Sequence, residues 1–426
     1  MTRVRKYHLT LIGVAALLLV VSLVRVITGH DDITSSGMFS AALLLAVPIG
    51  LAGLGGLWAE RAGVVNIGLE GMMVLGTWSA GWAGYQWGPW AALVAGLLAG
   101  AIGGLIHAVA TISFGVDHII SGVAINLLGP GVTRFLSEVL YKEGTPASVA
   151  GAGITTSPPM SSPPPTPSLP LLSDGPDLLG KLESTHWFLL SDLAGLLRGL
   201  THEVNLLVVL AVLLLPLTYV VLWHTAFGLR LRSAGENPWA AESLGVNVYR
   251  IKYIAVVISG AFAGLGGVFL VFFANKYVEG QTQGRGFIGL ATMIFGNWRP
   301  GGLAAGAALF GYADGLQLRS KEAVVSFFLF GAVLLLAYLV IQIRRLTAPD
   351  RPADLAAGAS RQYVRMAFAA LGMIVLFWLW LTVDRLPNEF VYITPHVLTL
   401  LVLLVASQRL RMPKADGVRY RRGEQH

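Results

Sequence analysis

The sequence predicts an all-α polytopic membrane protein, and three observations carry that expectation. Hydrophobic residues make up 55% of the chain and charged residues only 12%, roughly half the ~25% charged share of a soluble domain. Apolar runs recur from one end to the other, about ten of them when ~20 residues is taken as one crossing. The Arg and Lys residues behind the formal charge of +7 gather in loops and tails. Those loops fall on one side of a single alternating path, as the positive-inside bias requires. A nucleic-acid role for the charge has no basic-aromatic module to support it.

Several chemistries are excluded by what is missing. The chain has no cysteine, so disulfides, thiolate metal sites and cysteine nucleophiles are out. Its nine histidines are scattered, and His202-Glu203 has no second His at the spacing of a zinc-binding helix. The Gly-x-x-x-x-Gly-Lys-Ser/Thr phosphate loop is also absent, so the chain is not its own classical ATPase.

Taken in order, residues 1–37 hold Arg3, Arg5 and Lys6 ahead of an apolar run over 9–28. No Ala-x-Ala cleavage site follows, so the run is expected to be a retained first span with its basic end in the cytoplasm. Residues 38–58 then cross inward and 69–87 outward, with Trp82, Trp87 and Trp90 marking the outer interface. The return span, 90–114, carries Gly96, Gly100, Gly103 and Gly104; the pair Gly100 and Gly104 would let another helix approach closely. Asp117 is placed to cap the helix that follows through Asn126, and Gly129-Pro130-Gly131 predicts a kink or break in it.

Residues 142–203 are rich in proline and are expected to lie outside the membrane. Leu189, Leu193, Leu196, Leu197 and Leu200 predict an amphipathic helix at the end of that loop, on the outer membrane face or simply packed beyond it. Spans over 204–223 and 251–273 flank a basic loop, 224–252. Two runs too short to cross alone, 287–298 and 303–316, predict a broken or re-entrant pair joined at Arg299-Pro300-Gly301-Gly302. After 324–343, two further spans, 366–383 and 391–407, end in a basic tail with Arg409, Arg411, Lys414, Arg419, Arg421 and Arg422. The organisation is therefore 1–37, a core over 38–343, and a C-terminal extension over 344–426 whose role is open.

The string Ala52-Gly53-Leu54-Gly55-Gly56 recurs as Ala263-Gly264-Leu265-Gly266-Gly267, and each copy is followed by Ile-Gly-Leu, at Ile67 and at Ile288. One copy lies on an inward-going helix and the other on an outward-going one. That is the pattern of an inverted repeat, in which solutes bind near the midplane beside broken helices. The polar stretch from Ala59 to Gly71 is then either a cytoplasmic turn or such a break, with Glu60-Arg61 as a charged entry and Gly63 to Gly71 lining a pathway.

Candidate residues follow, each with two readings. Asn66 and Glu70, four apart, share a helix face and could bond a polar solute. Equally, Glu70 could pair with Arg61 or cap a helix. Asn126 is read as interhelical glue or as a pathway residue, and Asn297 as a further pathway candidate. In the basic loop, Asn237 and Pro238 suit an N-cap and first turn, and Gly245 suits C′ of a two-turn helix carrying Ala240 and Ala241.

Three blocks resemble one family. The run from Glu60 to Gly71, the run from Asp117 through Asn126 to Leu128, and the run from Gly289 through Asn297 to Trp298 are similar to signatures of permease subunits of bacterial ABC importers. The match is to the branched-chain amino acid/ribose-type family, in its nucleoside or simple-sugar branch. The resemblance covers about residues 38–343. It implies a transport subunit, not an enzyme, that moves a nucleoside, with a simple sugar as the second choice of solute, into the cytoplasm by alternating access. It also implies that Gly228, Arg232, Glu236, Asn237, Ala240, Ala241 and Gly245 belong to a coupling loop docking on the ATPase.

Implied partners are ATP-binding subunits that hold ATP and Mg, a second permease, an extracytoplasmic solute-binding lipoprotein, and the lipid of a bacterial plasma membrane with both termini cytoplasmic. This chain itself is expected to bind no cofactor. Two rivals stand beside this reading. An ion-coupled secondary transporter should carry ionisable residues deep in its spans, and a membrane-embedded enzyme should carry a His or carboxylate cluster. The proline-rich loop and the C-terminal extension depart from the family pattern.

Overall fold

Helices make up nearly all the regular structure, as the apolar runs require: in a bilayer every backbone group must be paired within its own segment. A computed structural model of the protein describes residues 3–141, 155–162, 177–202, 204, 206–319, 322–347, 359–383, 387 and 410–423. The expected span 391–407 and residues 142–154, 163–176 and 203 of the proline-rich loop lie outside the described residues.

In chain order the helices are α1 (Arg3–Thr28), α2 (Ser36–Arg61), α3 (Leu69–Trp87), α4 (Pro89–Ala108) and α5 (His118–Leu140). Next come α6 (Leu178–Glu183), α7 (Leu190–Thr201), α8 (Leu206–His224), α9 (Ala226–Glu236) and α10 (Pro238–Ser243). The last are α11 (Val248–Ala274), α12 (Arg285–Phe295), α13 (Pro300–Arg319), α14 (Ser326–Thr347) and α15 (Ala359–Thr382). Among the described residues, 7 helices are long and apolar enough to cross a membrane, and the β pairing is one isolated bridge between Thr156 and Val278.

The helices form two units. One comprises Met1–Ala42, Pro170–Val204 and Tyr312–Thr394. Its core packs Val24, Met38, Leu316, Val324 and Leu329. Arg25, buried in α1, is neutralised by Asp192 of α7 at 2.9 Å and Asp31 at 3.0 Å, and Ser22 also donates to Asp192. This explains the orientation of α7. Its polar Asp192 and small Ala194, Gly195 and Gly199 face inward, while Leu190, Leu193, Leu197 and Leu200 face outward. Such an outward leucine stripe is what an interfacial helix presents.

The second unit comprises Leu43–Leu169, Asn205–Gly311 and Pro395–His426. Its centre is a set of small-residue seams. A Cβ on Gly100 would lie 2.3 Å from the Gly260 carbonyl, and one on Gly104 would lie 2.5 Å from that of Val256. The expected glycine pair of α4 thus meets a second such pair, Gly260 and Gly264 of α11, and backbones touch directly. On α2, Gly55 faces Ser259 while Gly266 faces Pro48. Numbers rise on one helix as they fall on the other, so α2 and α11 are antiparallel. By the same reasoning α3 runs parallel to α11, with Gly76 against Gly264 and Gly81 against Tyr277.

Two expectations need correction. Of the kink or break expected at Gly129-Pro130-Gly131, the break is absent: α5 continues as one helix of 23 residues through Pro130. Proline removes one ladder bond, but Gly129 is pressed against Gly71 of α3 (2.8 Å from a Cβ to its carbonyl), and Thr133 donates to the Gly129 carbonyl at 3.0 Å. Packing outweighs the missing bond. Of the two runs expected to be short, α12 has 11 residues but α13 has 20, because Pro300 to Gly302 and Gln317 to Arg319 are also helical. Gly296 meets Gly302 and Thr292 meets Gly306, so the pair is an antiparallel hairpin.

Candidate functional site

The segment between α2 and α3 is a break, not a simple turn. Gly63 has φ +80° and starts it, a conformation open to glycine and strained for other residues. Residues 62–68 are mostly buried yet carry non-helical backbone, so their polar groups need partners from elsewhere. They have them. The Gly63 carbonyl accepts from Lys252 Nζ at 3.3 Å and the Val65 N–H donates to His118 Nδ1 at 3.2 Å. The Val65 carbonyl lies 3.0 Å from His107 Nε2, and that of Ile67 accepts from Asn126 Nδ2 at 2.9 Å. The Gly68 N–H donates to Asn66 Oδ1 at 3.1 Å, and Asn66 Nδ2 donates to Ser259 Oγ at 2.8 Å.

Asn126 also accepts from the Gly71 N–H at 2.8 Å, joining the break to the first turn of α3. Glu70 accepts from the N–H groups of Gly284 at 3.0 Å and Gly286 at 2.7 Å. A carboxylate thereby closes the start of α12, where unpaired N–H groups and the helix dipole favour negative charge. Of the readings open for Glu70, helix capping is therefore observed, while Arg61 donates instead to the Trp298 carbonyl at 2.6 and 3.0 Å. Leu69 shares a buried cluster with Ala263, near the midpoint of α11. Two helix N-termini, of α3 and α12, thus meet beside the middle of a long helix.

Asn297 lies elsewhere. It sits at φ +55° in the α12–α13 turn next to Trp298, whose indole N–H donates to Glu60, and its Oδ1 accepts from the Arg411 N–H at 2.7 Å. Asn66, Glu70 and Asn126 are therefore brought together at the break, and Asn297 is not with them. His107, His118 and Lys252 belong to the site but were not among the sequence candidates. A polar residue within an apolar span was the available signal, and His107 in the run 90–114 gave it, whereas Lys252 ends the basic loop 224–252 and reads as part of it.

The loop helix forms as its residues dictate. Asn237 Oδ1 accepts from the Ala240 N–H at 3.0 Å and Pro238 occupies the first position. At the other end the Gly245 N–H donates to the Glu242 carbonyl at 2.8 Å and that of Val246 to Ala241 at 3.1 Å, the double bond of a Schellman ending. Glu236, Asn237, Ala240, Leu244 and Gly245 face outward, with Leu244 at 85% exposure, whereas Ala241 is buried. Only Ala240 of the two alanines is thus on the open face. Gly228 and Arg232 hold α9 to α8: a Cβ on Gly228 would lie 2.1 Å from the Val221 carbonyl, and Arg232 donates to that of Leu222 at 2.9 Å.

The segment Leu410 to Gly423 is seated on the same region, a docking that the sequence does not announce. Its Ala415 N–H donates to the Gly235 carbonyl at 2.9 Å, and Arg422 pairs with Glu242 at 2.8 Å. Asp416 is buried against Glu60, and desolvation plus that second carboxyl push it up to about 10. It holds its proton at neutral pH, which lets two carboxyls share the space.

The described residues thus form a helical bundle with membrane-length apolar helices, one broken helix, two converging helix N-termini and a capped, outward-facing loop helix, the build of a multi-pass membrane protein. Residues 38–338 match the family described as branched-chain amino acid transport system / permease component, and the chain belongs to that family. The guanosine ABC transporter permease of Bacillus subtilis is 32% identical over 90% of this chain and 96% of its own. The nucleoside ABC transporter permease of Lactococcus lactis is 31% identical over 89% and 94%. A permease of Haloferax volcanii named provisionally for glucose is 34% identical over 68% and 79%. The first two organisms each hold a second, more distant relative, also named as a guanosine or nucleoside permease. No solved structure matches the chain.

Proposed function

We propose that this chain carries a nucleoside into the cytoplasm as one membrane-spanning half of an ATP-driven importer. The observation that carries the reading is the alignment along nine-tenths of the chain with permeases named for guanosine and nucleosides. The shorter alignment with a glucose-named relative leaves a simple sugar as the second reading. The chain does no covalent chemistry; separate subunits bind and hydrolyse ATP with Mg. Paired relatives in Bacillus subtilis and Lactococcus lactis favour a heterodimer with a second permease. An extracytoplasmic lipoprotein delivers the solute.

The path runs past the break between α2 and α3, with Asn66, Glu70 and Asn126 shaping its wall and Asn297 at its cytoplasmic end. The antiparallel α2 and α11, each bearing the repeated glycine string and each followed by a shorter helix, support an inverted repeat with its axis near Glu70. The positive-inside bias orients the loop 224–252 and both termini to the cytoplasm, with about ten crossings by a count of ~20 residues each. Uptake of labelled guanosine, competed with uridine, ribose and glucose, tests the solute. Guanosine entry blocked by uridine is expected; entry blocked only by sugars would replace the nucleoside. Uptake with no ATP-binding subunit co-purifying would replace the importer.

A further inference from the structure

The segment Leu410 to Gly423 touches four separate parts of its unit. At the break, its Ala415 carbonyl lies 3.0 Å from a Cβ placed on Gly63, the Val65 side chain lies 3.4 Å from one placed on Gly417, and Asp416 sits on Glu60. At the loop, Ala415 bonds Gly235, Tyr420 packs on Trp239 at 5.9 Å, and Arg422 pairs with Glu242. At the start of α11, Tyr420 lies 5.4 Å from Tyr249, with Lys252 over its ring at 5.9 Å. The Arg411 N–H also bonds Asn297 in the α12–α13 turn.

We propose that this segment is a positioning strap that ties α10 to the pathway break, so that a push on the loop helix is delivered to Glu60 and Gly63 directly as well as through α11. The inference rests on the reading of α10 as the ATPase-docking helix. Its geometry argues against a lid. The strap holds the back of α10 at Trp239 and Glu242, while Ala240, Leu244 and Gly245 stay open for a partner. Its middle is also bound by buried groups, Asp416 at 7% exposure beside Glu60 and, one residue earlier, the Ala415 N–H on the Gly235 carbonyl. Releasing and reburying an acid each cycle would cost more than moving it with its neighbours.

The native chain lacks cysteine, so Arg422→Cys with Glu242→Cys can be joined by a short bis-maleimide in the assembled importer. A strap that moves with α10 leaves uptake in the joined protein within about twofold of the unjoined one. Deleting residues 410–426, or Asp416→Ala, cuts uptake about tenfold while ATP hydrolysis by the assembled complex persists, and Asp416→Asn restores it. A join that stops uptake would make the segment a lid, and a deletion without effect would make it passive; either overturns the proposal. Uptake is scored on whichever of guanosine, uridine or ribose the unsubstituted complex accepts. A wrong solute is thus told apart from a wrong strap, and failure of any ATP-binding subunit to co-purify removes both readings.

Discussion

Glu70 on α3 closes the start of α12 by accepting the Gly286 N–H at 2.7 Å across 216 positions of sequence. The fit is close in backbone as well as in charge: a Cβ on Gly286 would lie 2.6 Å from the Glu70 Cα. Glu70→Ala leaves two amide groups without this acceptor, and an unsatisfied buried donor costs about 1–3 kcal/mol. The expected outcome is a lower Tm in detergent and reduced uptake. Glu70→Gln, which keeps one acceptor, should lie between. Equal stability for all three proteins would show that the cap contributes nothing.

Asn66 and Ser259 are a natural double-mutant cycle, being in contact at 2.8 Å. Neighbours in one buried network couple by about 0.5–3 kcal/mol. Asn66→Ala and Ser259→Ala should therefore destabilise less in combination than as a sum. Strict additivity in denaturation midpoints would argue that the contact is not made.

The α4–α11 seam gives a steric contrast. Gly100→Leu drives a side chain into the Gly260 carbonyl, while Gly131 has nothing within 4 Å of an added Cβ. Size-exclusion profiles should show Gly100→Leu aggregated or absent and Gly131→Ala indistinguishable from the parent.

On α10, Leu244→Asp puts a charge on the open face without touching Trp239 or Glu242. ATP hydrolysis uncoupled from uptake is the expected result, with normal membrane insertion. Retained uptake would move the docking face elsewhere.

The Asp416 carboxyl is raised to about 10 from an ordinary value of 3.8, and the sign of the linkage follows. Protonation favours the docked form, so the stabilisation is whole below pH ~4 and is lost as pH rises through the folded value. Glu60 and Lys252 face the same carboxyl. Protease cleavage within the segment should quicken between roughly pH 6 and pH 9 in the parent but not in Asp416→Asn. A pH-independent parent would exclude the shared proton.

Much of this molecule was legible in its residues. Apolar runs and glycine spacing gave the helices and the α4 seam, and Asn237, Pro238 and Gly245 gave both ends of α10, because those signals are local. What Glu70 caps was not legible, since its partners are backbone amides of a remote loop and leave no side-chain signature. Pro130 does not break α5, because packing of Gly129 against Gly71 offsets the lost ladder bond. The docking of Ala415 and Asp416 was hidden for the same reason: a tail rich in Arg reads as solvated charge, and only the burial of one acid distinguishes it.

The break between α2 and α3 hangs from side chains of three different helices: His107 of α4, His118 and Asn126 of α5, and Lys252 of α11. Hydrogen bonds tolerate only a few tenths of an ångström before they weaken. No single helix can therefore slide past the others without stripping partners from buried peptide groups. The break is held as one piece, like a lock whose pins must all lift together.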